Sequence, residues 1–116
     1  MIYKITSLKK FFLMIFLFSS LVSSNEIIVI DVRSDDEVKT GIIQDAIHIE
    51  WTDIEKEISN LDISKDQSIY LYCRSGNRSG KATAILEKMG FTNAKNVGGI
   101  IEAADKLEKK IVKYSD

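Results

Sequence analysis

The segment that most constrains the fold is residues 26–32, where Ile27, Ile28, Val29, Ile30 and Val32 make a nearly unbroken apolar run. Most of these residues are β-branched. A run of this kind is the mark of a strand buried on both faces, as in a parallel sheet. Parallel strands need long crossovers, usually helical, so helices are expected between the strands.

The rest of the chain meets that demand. Ser34 with Glu37 is a capping box that opens a short helix, which Gly41 can close. Residues 46–49 read as a second short strand. Thr52 with Glu55 is another capping box, followed by the apolar stripe Ile54, Ile58 and Leu61. Residues 68–72 form a third strand that ends at Cys73. Residues 74–80, with Gly76, Asn77 and Gly80, carry turn chemistry. A helix then aligns Ala82, Ile85, Leu86 and Met89, with Gly90 as its cap. Residues 94–97 read as a fourth strand, ended by Gly98 and Gly99. A last helix aligns Ile101, Ala104, Leu107 and Ile111, and the charged run 106–113 reads as its solvated face. The expected fold class is a single α/β domain with a mainly parallel sheet flanked by helices.

The first residues belong to a different pattern. Lys4, Lys9 and Lys10 precede an apolar run at residues 11–18 that holds four of the five Phe, and a Ser-rich stretch follows. A basic start, a short apolar run and small residues at the end match a secretory signal peptide. The run falls short of the roughly 20 residues of a membrane span; a retained anchor is the rival reading. Val22 and Ser24 suit the positions three and one before a cut, so cleavage is expected after Ser24. The expected domains are a signal peptide, 1–24, and a folded domain, 25–116. The 16 basic residues less three leave 13 against 17 acidic ones, a net charge of −4 on the remainder. That balance predicts no nucleic-acid partner and no stable membrane association after cleavage. The expected location is outside the cytoplasm, in the periplasm.

A single cysteine excludes an internal disulfide. Cys73 stands at the carboxyl end of the third strand, where open α/β sheets bind ligands. The loop after it can aim successive backbone N–H groups at one point, and the next helix N-terminus adds partial positive charge. Arg74 and Arg78 add two full charges. All of these favour thiolate over thiol, so Cys73 is expected to be nucleophilic, against the alternative of an inert buried cysteine.

Four residues separate Cys73 from Arg78, where tyrosine-type phosphatases have five. The smaller ring suits a sulfur carried on the cysteine better than a phosphoryl group. The loop Cys73, Arg74, Ser75, Gly76, Asn77, Arg78 closely resembles that of the rhodanese family, whose six-residue loop begins with the catalytic cysteine. The resemblance extends to Ile30, Asp31, Val32 and Arg33 with Glu37, to residues 41–47, and to Asn96, Val97, Gly98 and Gly99. Ile42, Asp45 and Glu50 depart from the family pattern, which has His, Gly and Pro there; these positions shape the turn before the second strand.

The resemblance implies a rhodanese-like domain acting as a thiosulfate sulfurtransferase. Cys73 would be the catalytic residue, with Arg74, Ser75, Gly76, Asn77, Arg78 and Ser79 binding the donor and the persulfide. Asp31 and Arg33 would be structural support. The donor would be thiosulfate or a similar small sulfur compound, and the acceptor cyanide, a thiol or a protein. No metal or organic cofactor is required. A non-enzymatic sulfur carrier and a Cys-based phosphatase or arsenate reductase are the alternatives. His48, in a strand between two isoleucines, reads as a partly exposed strand residue, and Trp51 as a core anchor.

Overall fold

The computed structural model describes residues 26–115. The expected signal peptide and Asn25 lie outside the described residues. Within them the order is β1 (Ile28–Asp31), α1 (Asp35–Val38), β2 (Ile42–Ile43), β3 (Ile47–His48), α2 (Ile54–Ser59), β4 (Ile69–Cys73), α3 (Asn77–Lys88), β5 (Ala94–Gly99), α4 (Ile100–Leu107) and β6 (Ile111–Val112). A 3₁₀ turn, Trp51–Asp53, leads into α2. No described helix is long and apolar enough to cross a membrane.

The apolar run becomes β1, and it is covered on both sides as its composition requires. The main sheet has the order β3-β1-β4-β5, with every pairing parallel. Successive side chains of a strand point to opposite faces, so each inner strand feeds two cores. On one face Ile30, Ile69, Leu71 and Cys73 pack with Ile54 and Ile58 of α2 and with Ala82 and Leu86 of α3. On the other, Val29, Tyr72 and Val97 pack with Ile43 and with Ala103 of α4. Cys73 thus lies on the α3 side, directly beneath the start of that helix.

Four local expectations are corrected. The Thr52 capping box does not form. The Trp51 N–H donates to the Val32 carbonyl, which winds the chain into the 3₁₀ turn. Thr52 is then inside that turn, and α2 starts at Ile54, with Asp53 before it making no side-chain cap. Ile54 and Ile58 are buried as expected, but Leu61 lies past the helix end and is exposed.

The last helix stops at Leu107, because Glu108 turns left-handed at φ 53. Ile111 belongs instead to β6, which pairs antiparallel with β2. Of the run 106–113 only Lys106 and Leu107 are helical. Pairing with β6 covers the backbone edge of Ile42–Ile43, a non-local satisfaction of polar groups that helical spacing does not reveal.

Third, α3 begins at Asn77, so Asn77, Arg78, Ser79 and Gly80 form its first turn rather than a loop. Fourth, β5 continues through Gly98 and Gly99 instead of ending before them. Among the family departures, Asp45 has φ 70, a left-handed position that favours glycine, and its carboxylate lies 3.5 Å from the Lys109 ammonium.

Leu71 is fully buried in the central strand. Leu71→Ala is expected to lower unfolding free energy by about 2–5 kcal/mol through lost burial and a cavity, measured by urea denaturation.

Candidate active site

Burial and a sharp turn build the site together. Strand β4 delivers Cys73 to the end of the sheet opposite Gly99, with a register irregularity between Leu71 and Cys73. Arg74 and Ser75 then lead to Gly76 at φ 96, a conformation that costs glycine little and other residues much. This turn aims the Gly76 N–H back at Cys73 Sγ, at 3.0 Å. The first turn of α3 adds the Ser79 N–H at 3.5 Å and the Ser79 hydroxyl at 3.3 Å. The loop can lie so close to β5 because Gly99 has no side chain; a Cβ there would come within 2.5 Å of the Arg74 carbonyl oxygen.

Cys73 is fully buried. Burial alone would push its thiol pKa up. Hydrogen bonds from the Ser79 hydroxyl and from the Ser79, Ser75 and Gly76 N–H groups outweigh that penalty and pull it below the ordinary thiol range. The site therefore stabilises negative charge on a buried sulfur.

Arg78 does not serve as an open cation. Its guanidinium grips Glu37 of α1 through two bonds, 2.5 and 2.9 Å long. Glu37 is itself held by the Ser34 N–H and hydroxyl of the capping box. The Arg78 hydrogen bonds, opposed by partial burial and helped by Ser34, hold the Glu37 carboxyl at about 2. Arg78 is ion-paired and ties the loop to α1, while Arg74 is exposed. Ser75 and Asn77 are exposed as well, so of the two serines it is Ser79 whose hydroxyl meets the sulfur.

Asp31 and Arg33 form a buried ion pair, with Nη2 and Oδ2 2.7 Å apart. Arg33 Nη2 also donates to the Gly41 carbonyl at 2.6 Å. The pair fastens the end of β1 to the turn before β2, and none of its hydrogen bonds runs to the Cys73 loop. His48 Nε2–H donates to the Arg33 carbonyl at 2.7 Å, and the ring meets Tyr114 edge-on. Trp51 is half-buried against the α2–α3 core, with the Lys81 ammonium 5.2 Å from its ring centre. Among the described residues no cluster of three or more His, Cys, Asp or Glu could hold a metal.

Two contributors escape a reading of the sequence alone. Glu37 has a local role as the capping residue, and its second role depends on a residue 41 positions away. Asn96 lies in the segment that precedes Gly98 and Gly99, but only the fold brings its amide to Ser79.

The site defines a class: a parallel α/β domain whose sheet presents a cysteine within a cradle of backbone donors. A family model for the rhodanese-like domain matches residues 17–106. The thiosulfate sulfurtransferase PspE of Escherichia coli is 33% identical over 75 residues, covering 65% of this chain and 72% of that one. A rhodanese structure from E. coli superposes with a TM-score of 0.63 at 31% identity, covering 66% of this chain and 91% of its own. A rhodanese-like domain protein from Staphylococcus aureus gives a TM-score of 0.65 at 30% identity, covering 85% and 92%. The chain belongs to the rhodanese-like sulfurtransferase family.

The Glu37–Arg78 clamp has a pH signature. A carboxyl held at about 2 when folded, against about 4.3 unfolded, contributes stability that is fully present above the unfolded value. That contribution is lost as pH falls from about 4.3 toward 2. Glu37→Gln is expected to cost on the order of 1 kcal/mol at neutral pH, given the partial exposure of both partners. The difference from wild type should vanish by about pH 2, measured by denaturation across the acid range.

Proposed function

We propose that this chain is a thiosulfate sulfurtransferase working through a persulfide on Cys73. The observation that carries the reading is the convergence of the Gly76 N–H, the Ser79 N–H and the Ser79 hydroxyl on one buried sulfur. The Cys73 thiolate attacks the outer sulfur of thiosulfate. The S–S bond of the donor breaks, sulfite leaves with its electron pair, and Cys73 becomes a persulfide whose terminal sulfur bears the charge. The backbone donors that favour thiolate solvate that sulfur. A nucleophilic acceptor then attacks the terminal sulfur and the cysteine thiolate is released; with cyanide the product is thiocyanate. Arg74, exposed at the rim, attracts the dianionic donor.

The clamp on Arg78 disfavours a phosphatase, which needs a guanidinium open to the equatorial oxygens of a phosphoryl group. The relatives support the same direction, since PspE carries the name thiosulfate sulfurtransferase. Export to the periplasm, with cleavage after Ser24, completes the proposal and rests on the pattern of residues 1–24.

Thiosulfate–cyanide transfer by the protein should form thiocyanate with repeated turnover, and Cys73→Ala should abolish it. Unchanged activity in Cys73→Ala would sink the assignment. A carrier, by contrast, would load once and stall.

In an oxidising compartment an unmodified thiolate is vulnerable, so the resting protein is expected to carry sulfur on Cys73. Intact mass of protein taken from the cell envelope without reductant should show a chain beginning at Asn25 with one extra sulfur, removable by cyanide. A plain thiol mass counts against the resting persulfide, and retention of residues 1–24 counts against cleavage.

A further inference from the structure

Asn96 stands on the exposed side of β5, yet its amide reaches the Cys73 loop. Nδ2 donates to the Gly76 carbonyl at 2.9 Å, and Oδ1 accepts from the Gly98 N–H at 3.0 Å. A carbonyl can only accept and a backbone N–H can only donate, so these two contacts settle which way the amide faces. The Ser79 hydroxyl lies 2.7 Å from Oδ1 and 3.3 Å from Cys73 Sγ. Oδ1 can only accept, so the single hydroxyl proton points either to Asn96 or to the sulfur, never to both. The approach of the amide also accounts for a helix-weakening glycine in the first turn of α3, since a Cβ at Gly80 would come within 3.3 Å of Nδ2.

We infer that Asn96 is a positioning residue that acts through Ser79, making its hydroxyl a two-position switch on the reacting sulfur. With Cys73 as thiol, the S–H donates to Ser79 Oγ and the hydroxyl donates to Asn96. When the proton leaves, the hydroxyl turns to donate to the thiolate, and Asn96 keeps its bond from Gly98. Once sulfur is loaded, charge moves to the terminal sulfur, Sγ becomes neutral, and the hydroxyl returns to Asn96. Asn96 therefore favours the thiol and persulfide states over the bare thiolate, opposing the other donors around Sγ. The role in transfer rests on the proposed sulfurtransferase reaction; the switch itself is a property of the thiol.

The lone cysteine makes the test direct, because thiolate ultraviolet absorbance reports Cys73 alone once a Cys73→Ala blank is subtracted. Protein freed of sulfane sulfur with cyanide is titrated. The other charged groups around the site are Arg74, Arg78 with Glu37, Asp31 at the end of β1 with Arg33 just beyond it, and Glu102 on α4, and all stay in place. Asn96→Ala is expected to lower the thiol midpoint by about half a unit or more, and Ser79→Ala to raise it. The double variant should match Ser79→Ala. Asn96→Asp, which keeps the acceptor and adds negative charge, should raise the midpoint and preserves the test if the alanine variant fails to fold. An unchanged or raised midpoint in Asn96→Ala, a double variant that departs from Ser79→Ala, or a lowered midpoint in Asn96→Asp would overturn the inference. Thiosulfate turnover measured on the same wild-type preparation separates the two readings: its absence refutes the reaction and leaves the titrations to decide the switch.

Discussion

A sulfur that must carry negative charge at a fully buried position needs donors that replace water, and that requirement organises the whole domain. Backbone N–H groups supply them only where the chain leaves a strand, turns sharply and enters a helix whose first amides are unpaired. The buried strand β4 sets the depth of Cys73, the left-handed turn at Gly76 sets the direction of its N–H, and α3 supplies Ser79 from above. Each of these elements fails without the others. The central strand is held in register between β1 and β5, and Gly99 gives the loop room to lie flat against the sheet edge.

Charge around the cradle is spent mainly on architecture. Arg78 and Glu37 neutralise each other across 41 residues and join the loop to α1, while Asp31 and Arg33 do the same for β1 and the turn before β2. Every buried side-chain nitrogen and oxygen among the described residues has a hydrogen-bond partner. The field at the sulfur therefore comes from short-range dipoles rather than from a surplus of arginines. Backbone dipoles held by packing need no reorganisation when charge moves by one atom from Sγ to a terminal sulfur.

Much of the fold could be read from residues 26–99, because there the local signals agree with the tertiary demand. The β-branched run at Ile28–Ile30 could only be a doubly covered strand, Ser34 and Glu37 do form a capping box, and Ala82 and Leu86 do face the core. Two of the misreadings share one cause. At Thr52 the pull of the Val32 carbonyl on Trp51 overrode a local capping signal. At Ile111 pairing with Ile43 overrode helical spacing. In both cases a hydrogen bond to a distant part of the chain won over a preference written in neighbouring residues.

The same division runs through the site. The sequence by itself determined that a lone cysteine would sit at a strand end before a glycine-bearing turn, since burial patterns and turn chemistry are local properties of the chain. Only the tertiary structure decided which arginine stays exposed and which is clamped, that Ser79 rather than Ser75 meets the sulfur, and that Asn96 reaches Ser79 and the Gly76 carbonyl. The reason is physical: a side chain's charge and its hydrogen-bonding direction take their meaning from partners that folding brings close, and those partners lie from 6 to 41 residues away.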